Sequence, residues 1–227
     1  MIAGIVAGQA VADSGGGGSD PYWASVVALV HADGTDGSTT ITDSKGIITW
    51  TPSGDSQLSS TQSKFGETSI SFDGSADFVV GSSDSVFQFA GDFTVEMWVY
   101  GNIASSAMLI CSDGAGGGSG KCYIQGSSVS INNTVIIYDF ALDTTNTWKH
   151  IALTRTDNNV RLFQNGVQVG STATSSATAD FRAPHLGHNS FNYSDLFTGY
   201  IDELRITAGV ARYTATFTPP TVEFPNS

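Results

Sequence analysis

The chain is poor in charge, above all in positive charge. Only 13% of its 227 residues are Asp, Glu, Lys or Arg, and nine Lys and Arg stand against 21 acids. A net charge of −12 leaves no basic stripe to meet a phosphate backbone, so no nucleic-acid partner is expected. Glu is scarce: Glu67, Glu96, Glu203 and Glu223 are the full set, and the other acids are Asp. Asp bonds its own backbone in turns, so this bias fits a turn-rich chain. No apolar run approaches the ~20 residues of a membrane-spanning helix, and no membrane partner is expected. No long stretch holds a 3.6-residue hydrophobic period, which argues against a helical fold. Cys111 and Cys122 are the two cysteines, too few for a disulfide scaffold. They flank the glycine-rich run CSDGAGGGSGKC. If the flanking strands pair, the thiols can bridge across a hairpin; otherwise they are two small buried residues.

What is present points to β-structure. Hydrophobic residues make up 40% of the chain, enough for a sizeable core. Residues 148–170 read WKHIALTRTDNNVRLFQNGVQVG. Alternating runs are joined at Thr156-Asp157-Asn158-Asn159 and again at Asn165-Gly166. Asn-Gly between alternating runs is a strong hairpin signal, so a three-stranded antiparallel meander is expected. In residues 93–100, FTVEMWVY, Phe93, Val95, Met97 and Val99 share one face; Thr94, Glu96, Trp98 and Tyr100 share the other. Both faces carry bulk, which reads as a central strand. Trp98 and Trp148 are expected in the core. Further strands are read at 23–31, 108–111, 122–125, 129–131, 135–140, 185–187 and 199–206. Residues 39–43 and 46–50 are read as a hairpin, and residues 68–72 and 78–80 flank the turn signal Asp73-Gly74. Residues 208–217 are read as a short helical turn. Many short strands ended by Gly, Asn or Asp make an all-β, two-sheet antiparallel sandwich.

The ends differ from the middle. Residues 1–13 are mildly apolar and precede a glycine linker at 14–20. Ala10-Val11-Ala12 resembles a signal-peptidase site, but no Lys or Arg precedes the apolar run and glycines interrupt it. The arm is read as an assembly anchor, with Ile2, Ile5, Val6 and Val11 pairing with or filling a groove on another subunit. The alternative is an arm folded back on its own domain. Residues 21–213 form the domain. Residues 214–227 form a proline-containing extended tail lying across the surface.

Four segments in order carry a resemblance: SFDGSADF from Ser71, FTVEMWVY from Phe93, the meander from Trp148, and GYIDELRI from Gly199. They resemble the laminin G-like branch of the concanavalin A-like lectin/glucanase jelly rolls. The resemblance implies two curved antiparallel sheets face to face, preceded here by an extended N-terminal arm. It implies no single function. The run from Gly199 to Pro225 resembles versions of this module in tailed-bacteriophage structural proteins.

The chemistry expected from these residues is sparse. Glucanases of this fold carry alternating carboxylates on one strand, whereas Glu96 is followed at alternate positions by Trp98 and Tyr100. Asp202 and Glu203 are adjacent, and on a regular strand would face opposite ways. His185 and His188 are too few for catalytic zinc. No catalysis is expected. Relatives that bind Ca²⁺ at the rim make Asp33, Asp36, Asp43 and Asp202 candidate ligands. Asp202 is placed on a face with Tyr200, Leu204 and Ile206; its alternative is a carboxylate accepting from backbone amides or an Arg. The loop Asn189, Phe191, Asn192, Tyr193, Asp195 combines aromatic platforms with polar contacts, as glycan sites do, or else plugs the sandwich end or touches a neighbouring subunit. The expectation is a non-catalytic phage virion protein at the particle surface, as head decoration or a tail component. It would be homo-oligomeric and held by other virion proteins. Its rivals are a glycan-binding adhesion module for host surfaces and a secreted bacterial lectin.

Overall fold

Residues 148–170 fold as their turn chemistry dictates. In the computed structural model, which describes residues 18–112, 122–143, 145–190 and 193–227, strand Lys149–Thr156 runs into Asn159–Gln164 and then Val167–Thr174. The first turn has Asp157 at φ 48° and Asn158 at φ 66°; the second has Asn165 at φ 49° and Gly166 at φ 76°. Positive φ at both central positions suits the right-handed twist of the flanking strands.

This meander is the margin of an eight-stranded antiparallel sheet. Inward from Lys149–Thr156 come Phe93–Asn102, Thr198–Ala208, Ser69–Asp73 and Gln57–Ser59. Val26–Val30 also joins Thr198–Ala208, pairing at residues 204–207, whereas Ser69–Asp73 pairs at residues 198–201. The facing sheet has seven strands, in the order Thr134–Ile137, Ser128–Ile131, Cys122–Gln125, Met108–Ser112, Pro184–Leu186, Phe78–Gly81 and Trp50–Ser53. The core lies between them. Val95, Met97, Val99, Leu153 and Ile201 from one sheet meet Ile110, Ile124, Val129 and Leu186 from the other, all buried. Each such side chain contributes roughly 1.5–3 kcal/mol on burial. The fold is the all-β jelly-roll sandwich expected. The anchor residues Ile2, Ile5, Val6 and Val11 lie outside the described residues.

Several local readings are corrected. Residues 39–50 make no hairpin: Ile41 bridges Trp50, and the strand Trp50–Ser53 pairs instead with Phe78–Gly81. The Asp43 side chain accounts for this, accepting backbone N–H bonds from Leu29, Lys45, Ile47 and Ile48 and holding the segment as a loop. Residues 208–217 form no helical turn. Tyr213 and Phe217 instead stack with ring centroids 3.6 Å apart, beside His150 on the outer face of the larger sheet. Cys111 and Cys122 are buried as thiols and do not bridge. Cys111 is opposite Tyr123, so Cys122, one residue on, points to the other face. Cys122 enters the core, while the Cys111 thiol donates to the His188 carbonyl at 3.2 Å.

A bulge corrects the reading of Asp202. The register runs from Asp202 opposite Trp98 to Arg205 opposite Glu96, with one extra residue, and Glu203 takes φ 50°. Leu204 and Ile206 therefore enter the core, while Asp202 stays on the outer face with Tyr200. Glu203 does not alternate to the core either. Its carboxylate meets His31 at 2.6 Å and accepts the Phe224 N–H at 2.8 Å.

Candidate functional site

The four Asp residues expected to hold calcium do not converge. Asp33 and Asp36 share a cleft of about 620 Å³ with Glu67. Asp33 accepts the Glu67 N–H at 3.0 Å and Asp36 the Ser60 N–H at 2.7 Å. Asp43 is the loop anchor already described. Asp202 accepts N–H bonds from Lys64, Phe65 and Glu203. Burial raises its carboxyl to about 7, the Glu203 charge adding to the rise and these amides opposing it. Among the described residues no three His, Cys, Asp or Glu side chains are placed to hold one metal ion, so these residues do not fit a shared Ca²⁺.

The loop expected to bind glycan is closed on itself where it is described. The Asn189 amide donates to Asp195 at 3.0 Å, and the Tyr193 N–H donates to the Asn189 carbonyl. Phe191 and Asn192 lie outside the described residues. Tyr193 is 66% exposed, its ring centroid 5.3 Å from that of His188. Beneath it His188 stacks on Phe78 and is hydrogen-bonded to His185 at 2.8 Å. Burial, with the His185 charge adding to it, pushes His188 down to about 4.

A different surface combines aromatics with free polar groups. Trp148, Tyr100, Tyr200, Ser71 and Gln57 stand in one cross-strand row on the outer face of the larger sheet. Tyr200 is opposite both Tyr100 and Ser71, and Ser71 is opposite Gln57. Trp148 precedes Lys149, which pairs with Val99, and so falls opposite Tyr100. At about 4.8 Å between strands the row spans about 19 Å. Tyr100, Trp148 and Tyr200 are all half-buried. The Tyr100 ring centroid is 5.5 Å from Trp148 and 5.9 Å from Tyr200. This places Trp148 outside the core, a correction to the expectation. Trp98 is also on the outer face, but covered by Phe65 and by Lys64, whose Nζ is 4.1 Å from its ring.

Beside the aromatics the row opens into a groove of about 660 Å³. Gln57, Asn102 and Asn146 line it, and no side-chain hydrogen bond to another described residue engages their amides. The floor is a close pair of glycines. Gly101 (φ 143°) faces Gly199 (φ 149°) across the strands, and a Cβ on Gly101 would lie 2.5 Å from the Thr198 carbonyl. Asp77 braces the far wall by accepting the Asp55 N–H at 2.6 Å and the Asp73 N–H at 2.8 Å.

Covered ion pairs decide which part of this face stays open. Glu96 meets Arg205 at 3.0 Å, His150 at 3.2 Å and the Tyr213 hydroxyl at 2.8 Å. Asp20 meets Arg212 at 2.6 Å and Arg205 at 3.2 Å, and Phe224 stacks on the Arg205 guanidinium. Burial disfavours the Glu96 carboxylate, but Arg205, His150 and Arg212 outweigh it and hold the group well below the usual carboxylate range. These contacts lay the C-terminal tail over residues 94, 96, 150 and 205. The Trp148–Tyr100–Tyr200 row is left uncovered. Sequence reasoning missed it because both faces of the Phe93 strand carry bulk, so the outer face did not stand out as a surface. The available signal was Trp148, Tyr100 and Tyr200 on strands that each resemblance motif marked.

Residues 72–211 match a family profile described as the concanavalin A-like lectin/glucanases superfamily. The chain belongs to that superfamily. Among solved structures of this fold is domain 4 of AbnA, a GH43 extracellular arabinanase from Geobacillus stearothermophilus, in complex with arabinotriose. It is 18% identical with a TM-score of 0.56, over 82% of this chain and 93% of that one. The binding domain of Paraclostridial mosquitocidal protein 1 matches at 12% identity and TM-score 0.59, over 84% of this chain and 51% of that one. The botulinum neurotoxin serotype C1 binding domain matches at 14% and 0.59, over 82% and 49%. The chain thus spans about half the length of these toxin domains. No curated protein sequence matches it. Superfamily membership and these likenesses establish the jelly roll; the site is argued from its own geometry.

Proposed function

We propose that this superfamily member is a non-catalytic carbohydrate-binding module whose ligand lies along Trp148, Tyr100 and Tyr200. One observation supports this above all. Three half-buried aromatics stand in a single cross-strand row beside three side-chain amides that no described protein group bonds. Aromatic faces offer apolar stacking surface, and amides both donate to and accept from sugar hydroxyls. The carboxylates weighed for catalysis in the sequence are engaged elsewhere. Glu96 is shut off in an ion network, and Asp202 and Glu203 are occupied by backbone amides and His31. The test is a glycan array probed with wild type, Trp148→Ala and Tyr200→Ala. Loss of the wild-type signals in both variants supports the reading; signals that survive both substitutions overturn it.

The resemblance of the run from Gly199 to Pro225 supports a second, locational reading. The module would be displayed at a phage particle surface, attached through residues 1–13 to other virion proteins. Deleting residues 1–13 tests this: incorporation unchanged by the deletion would contradict it.

A further inference from the structure

We infer that the groove selects a single uncharged glycan chain and turns anionic glycans away, an inference that rests on the groove being the glycan site. The first ground is charge. Asp55, Asp73 and Asp77 line the groove, and no Lys, Arg or His among the described residues does. Asp77 has both oxygens on backbone amides, and burial raises its pKa, with the neighbouring Asp73 carboxyl adding to the rise; Asp73 itself accepts the Ser75 N–H. Both Asp55 and Asp73 are exposed. Two basic side chains stand outside the groove lining. Lys149, next to Trp148 in the chain, is paired with Asp143 at 2.7 Å. Lys64 lies over Trp98, in the adjoining row. A carboxylate or sulfate on the ligand would meet uncompensated like charge, more strongly where the ligand displaces water. A sugar hydroxyl meets the opposite situation: carboxylate oxygens accept its proton and the amides of Gln57, Asn102 and Asn146 donate to its oxygen.

The second ground is ring geometry. The Tyr100 ring is tilted 54° from Trp148 and 70° from Tyr200. A flat crystalline polymer face needs coplanar rings and cannot lie on all three. A single chain that twists along its length can.

The test uses the full chain in affinity electrophoresis at near-physiological salt. The probes are soluble arabinan, mixed-linkage β-glucan and mannan, with polygalacturonate and polysialic acid as anionic chains. A pull-down on microcrystalline cellulose runs alongside. At least one neutral polysaccharide should retard the protein, with neither anionic chain nor the crystalline surface binding it. The polysaccharide that binds is then O-carboxymethylated at its hydroxyls to introduce carboxylates. Affinity should fall at least tenfold, and the combined variant Asp55→Asn with Asp73→Asn should recover most of that fall. An equal affinity for anionic chains, capture by crystalline cellulose, or a gap unmoved by the Asn variant overturns the inference while leaving the groove as a glycan site. Silence across all probes, with wild type also silent on the array, overturns the glycan reading itself.

Discussion

Glu96 and Arg205 face each other across adjacent strands at 3.0 Å, and both are shut off from solvent. The pair sits on the outer face of the sheet, not between the sheets, and it is buried because the C-terminal tail lies over it. Removing Glu96 strips a buried counter-charge from Arg205, which keeps Asp20 at 3.2 Å. Glu96→Ala is expected to cost about 3–5 kcal/mol of folding free energy. Urea denaturation checks this. A loss below about 1 kcal/mol would mean that water reaches Arg205 freely.

The His31–Glu203 contact predicts a pH dependence. Burial lowers the His31 pKa, but the hydrogen bond and charge of Glu203 outweigh it and raise the group to about 9 from 6.5. A histidine held protonated in the fold contributes stability that is complete below pH 6.5 and lost as pH rises toward about 9. The denaturation midpoint should therefore fall between pH 6.5 and 9, and His31→Gln should flatten that part of the curve. Asp202 acts in the same direction at lower pH. Its raised pKa of about 7, against 3.8, means that folding weakens as pH climbs through that interval. Parallel curves for wild type and His31→Gln above pH 6.5 would contradict the assignment.

Gly166 links the meander to the tail. It takes φ 76°, and a Cβ added there would run into the Phe217 carbonyl, whose residue donates its N–H back to Gly166. Gly166→Ala should cost more than the roughly 1 kcal/mol of backbone strain alone, because the tail contact must shift as well. Differential scanning calorimetry gives the answer as a lowered Tm; an unchanged Tm would show that the tail is not seated on this turn.

These residues also show where sequence reading succeeds and where it stops. The meander was legible because its turns are local: Asp157, Asn158, Asn165 and Gly166 accept positive φ with little regard to what packs around them. The central place of the Phe93 strand was legible from bulk on both faces. The bulge at Glu203 was not, since a non-glycine residue at φ 50° leaves no compositional mark and reverses the faces expected for Leu204 and Ile206. Of the two readings of the cysteines, the buried-thiol one holds, because a one-residue register places Cys111 opposite Tyr123. The candidate site was hidden for a related reason. Whether Trp98 or Trp148 is covered depends on residues 64, 65 and 213–224, far away in sequence. In the polar loop, the composition could not show that Asn189 and Asp195 bond each other.

The Trp148–Tyr100–Tyr200 row is the proposed glycan-binding surface. Isothermal titration of wild type and Trp148→Ala with the best array glycan tests it most directly, with thermal melts confirming that both are folded. The account predicts that Trp148→Ala weakens binding at least tenfold, about 1.4 kcal/mol, at an unchanged Tm. Equal affinity in two folded proteins would contradict it and move the site elsewhere on the sandwich.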